Sequence, residues 1–171
     1  MIDVGSGGGL PGIPLHLAVG FRRVCLLESI GKKAEFLRYV SARMSLSEVE
    51  VVNRRAEELG QSPDYRESFE AVTVRAVAPL AVVSEYGLPF LAPGGVMAAM
   101  KGRLEAEERR AGERSAKILG GELEKLIRVP FSAGLEQKER CLVVVKKVSA
   151  TPKSYPRKPG TPGKSPLGGV V

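Results

Sequence analysis

The sequence is poor in the residues that build metal centres and disulfides: its 171 residues include two cysteines and one histidine. Cys25 and Cys141 lie in separate apolar stretches, where a thiol is normally buried and inert. His16 stands between two leucines, in surroundings typical of a core histidine. A metal site needs several such ligands at close spacing, so we predict none, and we expect reduced thiols in a cytoplasmic protein.

Long apolar runs are also lacking. No stretch approaches the ~20 apolar residues that a membrane-spanning helix needs, and no basic start leads into a short apolar segment as in a secretory signal. Apolar residues make up 43% of the chain and charged residues 26%, which is ordinary for a globular domain. We therefore expect one soluble domain with no membrane partner.

Acidic residues are missing from the end of the chain. Residues 151–171 contain Lys153, Arg157, Lys158 and Lys164 but no acid, and so supply +4 of the net charge of +7. A basic end suits a polyanion, because phosphate contacts release counterions, although a solubilising tail would look the same. Many prolines and glycines predict an extended tail without regular structure. The sequence thus divides into a domain over residues 1–150 and a basic tail over residues 151–171.

Within the domain, strand-like and helix-like apolar segments alternate, which predicts an α/β layered fold. Short strands are predicted over 24–28, 49–52, 69–74 and 96–100, the last after a turn at 93–95. Helices are predicted over 32–44, 79–91 and 103–119. Two further strands, over 123–129 and 141–147, read as an antiparallel hairpin.

The most informative segment is the glycine-rich run from Asp3 to Pro14, DVGSGGGLPGIP. Gly5, Gly7 and Gly9 permit positive φ and leave no Cβ in the way of a ligand. The pattern D-x-G-x-G-x-G is typical of the cofactor loop of S-adenosylmethionine-dependent methyltransferases. The same run also satisfies G-x-G-x-x-G, the weaker fingerprint of dinucleotide-binding proteins, so a nicotinamide-dependent oxidoreductase is an alternative.

Two features favour S-adenosylmethionine over a dinucleotide. The Asp3 carboxylate can fix the loop amides and approach the ammonium group of the cofactor. Pro11 and Pro14 crowd the segment in which a dinucleotide fold needs helix amides for a pyrophosphate. Glu28 follows a predicted strand and can accept both ribose hydroxyls in either class of cofactor.

The glycine loop begins almost at the first residue. Such loops follow a buried strand, which here is reduced to Met1 and Ile2. We therefore expect the first strand to be largely missing and the domain to be truncated at its N-terminal side.

Seven motifs occur together and in a characteristic order: DVGSGGGLPGIPL, LLESIGKKAEFL, RRAEEL, VRAVAPL, PGGVMAAMKG, ERCLVVVKK and TPKSYPRKPGTPGKSPL. With them the chain closely resembles, over essentially its whole length, the GidB family of 16S ribosomal RNA guanine-N7 methyltransferases. The resemblance implies a Rossmann-like S-adenosylmethionine-dependent methyltransferase fold, a seven-stranded sheet ending in an antiparallel hairpin. It also implies S-adenosyl-L-methionine as cofactor and 16S ribosomal RNA, or the small ribosomal subunit, as partner.

The resemblance also assigns residues to the cofactor site. Gly5 and Leu10 match positions that line the cofactor, and Glu28 matches the ribose-binding acid. Ala56 and Glu57 match the pair beside the adenine, and Arg75 matches a basic position at the end of the fourth strand.

Beyond the cofactor, Lys101, Arg157 and Lys158 are candidate phosphate contacts to RNA. No catalytic residue is predicted. Two alternatives remain open: a methyltransferase with another substrate, and an inactive remnant that only binds RNA.

Overall fold

The computed structural model describes residues 1–75, 77–129 and 139–169, and these build one seven-stranded sheet. In chain order the strands are β1 Ile2–Val4, β2 Val24–Leu27, β3 Val49–Val52, β4 Phe69–Arg75, β5 Leu91–Lys101, β6 Gly121–Val129 and β7 Arg140–Lys147. Their order across the sheet is β3-β2-β1-β4-β5-β7-β6, with β1 to β5 parallel and β7 antiparallel to both its neighbours. The predicted α/β fold with a terminal antiparallel hairpin is confirmed.

Helices lie in the connections between β1 and β6, and one more follows the last strand. They are α1 Gly12–Val19, α2 Gly31–Arg43, α3 Ala56–Leu59, α4 Leu80–Gly87, α5 Ala106–Ile118 and α6 Thr161–Lys164, with a 3₁₀ turn at Leu88–Phe90. The first two helices pack on one face of the sheet around Ile13 and Leu37. The larger core lies on the other face, where α3, α4 and α5 contribute Leu59, Leu80 and Ala116. No helix in the described ranges has the length and apolar character needed to cross a membrane.

The first strand is short but fully paired. Ile2, Asp3 and Val4 pair with β2 on one side and with β4 on the other. The Met1 carbonyl extends this pairing by accepting a hydrogen bond of 3.0 Å from the Cys25 amide. The strand expected to be largely missing is therefore in its central place, one residue shorter than β2, and it positions the loop that follows.

Within β5, the sequence Pro93-Gly94-Gly95 forms an irregularity rather than a turn that precedes the strand. The pairing with β4 shifts between Phe69 and Ala71, and Gly94 adopts φ +90°. A strand can absorb extra residues in this way when a glycine supplies the left-handed conformation. Strand β5 therefore begins at Leu91, five residues earlier than predicted.

The C-terminal segment also differs from its prediction. Instead of extending away from the domain, residues 151–169 lie against it, with Thr151 and Pro162 buried and a helical turn at α6. Contacts with distant parts of the chain fix this backbone, so the expectation of an extended tail without regular structure is wrong.

The cysteines and the histidine lie in the core, as predicted. Cys25 and Cys141 are both buried and free, and burial raises the pKa of Cys25 to about 12. His16 is buried, with Nε2 3.7 Å from a carboxylate oxygen of Glu48. Among the described residues no group of His, Cys, Asp and Glu side chains is arranged to hold a metal ion.

Candidate cofactor site

The loop between β1 and α1 has a conformation that only glycines accommodate. Gly5, Gly7 and Gly9 adopt φ of +73°, +56° and +85°, in the left-handed region that side chains rarely occupy. A Cβ on Gly5 would lie 2.8 Å from Cγ2 of Val77, and one on Gly9 would lie 2.5 Å from Cδ1 of Ile13. The positive φ angles expected from the glycine pattern are confirmed.

Asp3 holds this loop from beneath. Its Oδ1 accepts a hydrogen bond of 2.7 Å from the Thr73 hydroxyl, and its Oδ2 accepts one of 3.2 Å from the Gly12 amide. The side chain is 1% exposed, and burial raises its pKa. Asp3 therefore fixes a loop amide as predicted, but the structure gives no support to its direct approach to a cofactor ammonium group.

Glu28 ties the loop to the next strand and helix. At the end of β2, its Oε2 accepts from the Gly7 amide and its Oε1 from the Ile30 amide, both at 2.9 Å. Asn53 donates to the backbone carbonyl of Glu28 at 2.8 Å. Each carboxylate oxygen keeps a second lone pair, so Glu28 can still accept ligand hydroxyls from this fixed orientation.

Ala56 and Glu57 are the first two residues of α3, which follows β3. The amide of Glu28 donates to the carbonyl of Val52 at 3.0 Å, so the ends of β2 and β3 are adjacent. Glu57 is buried, and its Oε1 accepts a hydrogen bond of 2.9 Å from the Gly160 amide of the C-terminal segment. The Glu57 carboxylate is thus oriented by a residue 103 positions away.

Arg75 is the last residue of β4 and is exposed. Because Val74 pairs with Val4, Arg75 lies beside the start of the glycine loop. Leu10, at 45% exposure, lies on the loop itself. Apart from Asp3, which is buried beneath the loop, the structure therefore brings the predicted cofactor residues to the carboxyl ends of four adjacent parallel strands, where ligands of open α/β sheets bind.

The first turn of α1 distinguishes the two candidate cofactors. The Gly12 amide donates to Asp3, the Ile13 amide donates to the Gly9 carbonyl at 2.8 Å, and Pro14 has no amide hydrogen. A pyrophosphate needs free amides at such a helix start, and this turn offers none. S-adenosylmethionine needs carboxylates that accept hydrogen bonds from its ribose hydroxyls and its ammonium group. It also needs a loop whose backbone is not covered by side chains. Glu28, Glu57 and the loop, with nothing within 4 Å of a Cβ on Gly8, fit that ligand.

The three candidate RNA contacts differ in whether their charge is already paired within the domain. Lys101 is 16% exposed at its side chain and binds Glu108 Oε1 at 2.8 Å and the Ala78 carbonyl at 2.7 Å. Arg157 pairs with the fully buried Glu85 at 2.6 Å. Both cations are already paired with carboxylates of the domain, so the structure does not support their assignment as phosphate contacts. Lys158 is exposed and stays a prediction.

Sequence reasoning missed the residues that hold the C-terminal segment against the domain, above all Glu85, which binds Arg157, and Arg66, which donates to the carbonyls of Thr151 and Tyr155. Glu85 carried one available signal, since it is a charged residue inside the apolar helix LAVVSEYG and a buried acid needs a partner. Its partner lies 72 positions away and could not be identified from spacing.

Comparisons with known proteins agree with this geometry. The family model described as GidB, rRNA small subunit methyltransferase G, matches residues 1–135. Ribosomal RNA small subunit methyltransferase G of Bacillus velezensis is 43% identical over 169 residues, covering 99% of this chain and 70% of that protein. The protein of the same name from Rubrobacter xylanophilus is 48% identical over 168 residues, covering 98% of this chain and 64% of its own length.

Solved structures share the fold at low identity. A putative sarcosine dimethylglycine methyltransferase from Galdieria sulphuraria superposes with a TM-score of 0.67 at 13% identity, covering 86% of this chain and 77% of that one. The structure of M. jannaschii TYW2 in complex with AdoMet superposes with a TM-score of 0.63 at 14% identity, covering 86% of this chain and 68% of that one. At this identity the likeness shows the methyltransferase fold.

Proposed function

The chain belongs to the GidB family, rRNA small subunit methyltransferase G, and from that premise we propose that it methylates N7 of a guanine in 16S ribosomal RNA with S-adenosyl-L-methionine as methyl donor. The observation that carries the proposal is the construction of the glycine loop. Asp3 fixes it from below, Glu28 fixes it from the side, and the first turn of α1 has no free amide for a pyrophosphate. The chain spans 64% and 70% of the length of the two relatives described above.

The chemistry asks little of the protein beyond positioning. S-adenosylmethionine supplies a methyl group bonded to a positively charged sulfur. Guanine N7 is an acceptor with a free lone pair in the major groove, and it forms the new N–C bond as the S–C bond breaks. The positive charge passes to the guanine ring and no proton leaves N7, so no general base is required. Catalysis then rests on holding the two groups in line at short distance.

The residues of this chain divide that positioning among them. Glu28 accepts the ribose hydroxyls, Glu57 and the Ala56 amide address the adenine side, and Gly5 and Leu10 line the loop. Arg75 stands at the boundary between the cofactor residues and the surface that faces the RNA. The exposed cation Lys158 contributes to phosphate binding at the C-terminal end.

The substrate is 16S ribosomal RNA, either free or within the small ribosomal subunit, and the enzyme acts in the bacterial cytoplasm where that RNA is found. No metal is required for this methyl transfer, since the methyl group is already activated by its bond to sulfur.

A methylation assay tests the proposal. The chain is incubated with 16S ribosomal RNA and methyl-labelled S-adenosylmethionine, and the product is mapped by borohydride reduction and aniline cleavage, which break RNA at N7-methylguanine. We expect one cleavage site with the wild type and strongly reduced label with Glu28→Ala. Label at a position resistant to aniline would show another acceptor atom. Cofactor binding without RNA label would favour another substrate, and RNA binding without cofactor binding would favour the remnant.

A further inference from the structure

Residues 151–169, called here the C-terminal strap, run from the end of β7 across α3 and α4. The strap is held first by Arg66, whose guanidinium donates to the carbonyls of Thr151 and Tyr155, both at 2.7 Å. Gln61 donates to the Pro156 carbonyl at 2.8 Å. Arg66 and Gln61 lie just beyond α3, so these contacts fasten the strap to the segment that carries the predicted adenine-side pair.

A second anchor follows at Arg157. Its backbone amide and Nε donate to Glu85 Oε1 at 2.8 and 2.9 Å, and its Nη2 donates to Oε2 at 2.6 Å. Glu85 is 0% exposed, so water cannot replace this partner. A charge-assisted interaction of this kind fixes both position and orientation. It sets the course of the strap three residues before Gly160.

The strap then reaches Glu57. The Gly160 amide donates to Glu57 Oε1 at 2.9 Å, and Gly160 adopts φ +82° with nothing within 4 Å of a Cβ position. Glycine is thus required here for its backbone conformation and not for space. Across the described residues, the second carboxylate oxygen of Glu57 accepts no hydrogen bond, which leaves it for a ligand.

We propose that the C-terminal strap is a functional part of the cofactor site: Gly160 orients the Glu57 carboxylate for the ligand, and Arg157 holds Gly160 in place. This inference rests on the proposed function. A buried carboxylate whose orientation is already fixed loses less side-chain freedom when it binds, so the strap raises cofactor affinity by preorganisation. Gly160 and Arg157 are positioning residues that touch no reacting atom.

The contact can be removed without removing the anchors. Gly160→Pro deletes the amide hydrogen, whereas Gly160→Ala keeps it and meets no neighbouring atom. Both substitutions oppose the positive φ, proline the more strongly because its ring fixes φ at about −65°, so Gly160→Ala controls for part of the conformational cost and the Glu57→Ala background controls for the rest. Arg114→Ala serves as a further control, because it frees the strap at the Gly168 carbonyl, 2.7 Å from Arg114 Nε, and leaves Glu57 untouched.

The experiment is a double-mutant cycle read by calorimetric titration with S-adenosylmethionine, with thermal unfolding to confirm that each variant folds. We expect Gly160→Pro to weaken binding about tenfold, the usual size for a hydrogen bond to a charged group, and Gly160→Ala to weaken it less. Arg114→Ala should bind as the wild type does. In a Glu57→Ala background, Gly160→Pro should change the affinity no further, because the carboxylate that it orients is gone.

Two results would overturn the inference while the proposed function stands. In the first, the wild type and Gly160→Pro bind S-adenosylmethionine with equal affinity. In the second, Gly160→Pro weakens binding by the same factor whether residue 57 is glutamate or alanine. A folded wild type without cofactor affinity would instead remove the proposed function and this inference with it. Hydrogen exchange of the Gly160 amide gives a reading independent of the cofactor: exchange should be faster in Glu57→Ala, and an unchanged rate would show that no contact exists.

Discussion

The glycine loop and the C-terminal strap converge on the same site from opposite ends of the chain, yet they are held in different ways. The loop is shaped largely by its own backbone and by Asp3 and Glu28, whose partners Gly12 and Gly7 lie 9 and 21 positions away, and one distant contact from Thr73 holds Asp3. The strap is shaped by partners 72 to 103 positions away, through Glu85 and Glu57. The contacts of the loop therefore fix the geometry of that loop alone. The contacts of the strap connect distant elements, so the same contacts stabilise the domain and shape the site.

The largest effect is expected where the strap is anchored. Arg157→Ala leaves the fully buried Glu85 carboxylate without its cation, which should lower the free energy of unfolding by about 3–5 kcal/mol. Urea denaturation measures the loss. Arg109→Ala is the control, because its pair with Glu113 is half exposed and should contribute less than about 0.5 kcal/mol. Equal losses in the two variants would show that the strap is not tied to domain stability.

The loop should respond to crowding at a single glycine. Gly9→Ala combines a disfavoured positive φ with a clash against Ile13, and should cost about 2–4 kcal/mol of stability. Gly20→Ala shares the positive φ, at +72°, but meets nothing within 4 Å, so it should cost only about 1–2 kcal/mol. If the two variants unfold at the same urea concentration, the conformation alone and not the packing of the loop makes glycine necessary.

Lys147, the last residue of β7, donates to the Thr151 hydroxyl at the start of the strap and should make stability depend on pH. Burial lowers the pKa of Lys147 from 10.5 to about 8, against the opposing attraction of Glu67. Between these values the unfolded chain binds more protons at this side chain than the folded one, so stability rises with pH from about 8 to 10.5. Relative to Lys147→Met, the wild type should gain about 1–3 kcal/mol across that window. Parallel stability curves for the two proteins would contradict the shift.

Cofactor affinity should report on the loop side of the site directly. Glu28→Ala and Arg75→Ala should each weaken S-adenosylmethionine binding several-fold, because each removes a polar group beside the loop. The matched control is Glu35→Ala, an exposed acid on α2 away from the strand ends. Calorimetric titration gives the three affinities. A variant at either site position that binds like the Glu35 control would be removed from the site.

The smallest effect concerns the exposed cations of the strap. Lys153, Lys158 and Lys164 are exposed, and replacing them together by serine should flatten the salt dependence of RNA binding by about two units of slope, with little change in stability. Filter binding at several salt concentrations measures the slope. If the salt dependence of RNA binding has the same slope in both proteins, these lysines do not contact RNA and only keep the surface soluble. The strap would then act only through Glu57.

The loop could be predicted from the sequence because its determinants are local. Gly5, Gly7 and Gly9 require positive φ, and Asp3 and Glu28 stand at the strand ends that flank them. The succession of strands and helices along the chain, and the final hairpin, also followed from the apolar pattern, whereas the seven-stranded sheet was implied by the family resemblance. The same local reasoning underestimated the first strand, because three residues suffice when both neighbours pair with them.

The strap could not be predicted, because proline and glycine content describes what a free segment prefers and says nothing about distant partners. Its course is set by Arg66, Glu85 and Glu57, which lie far from it in the sequence and are brought to it by the fold. For the same reason Lys101 and Arg157 were expected on an open surface: their partners, Glu108 and Glu85, cannot be recognised before the helices are assembled.

The most direct test of the account is calorimetric titration of the folded chain with S-adenosylmethionine, with NAD as the control ligand. The occupied first turn of α1 and the carboxylate of Glu28 predict binding of one S-adenosylmethionine per chain and no binding of NAD. Two results would contradict the cofactor assignment on which the proposed function depends. One is binding of NAD, and the other is no binding of S-adenosylmethionine by a chain that circular dichroism shows to be folded.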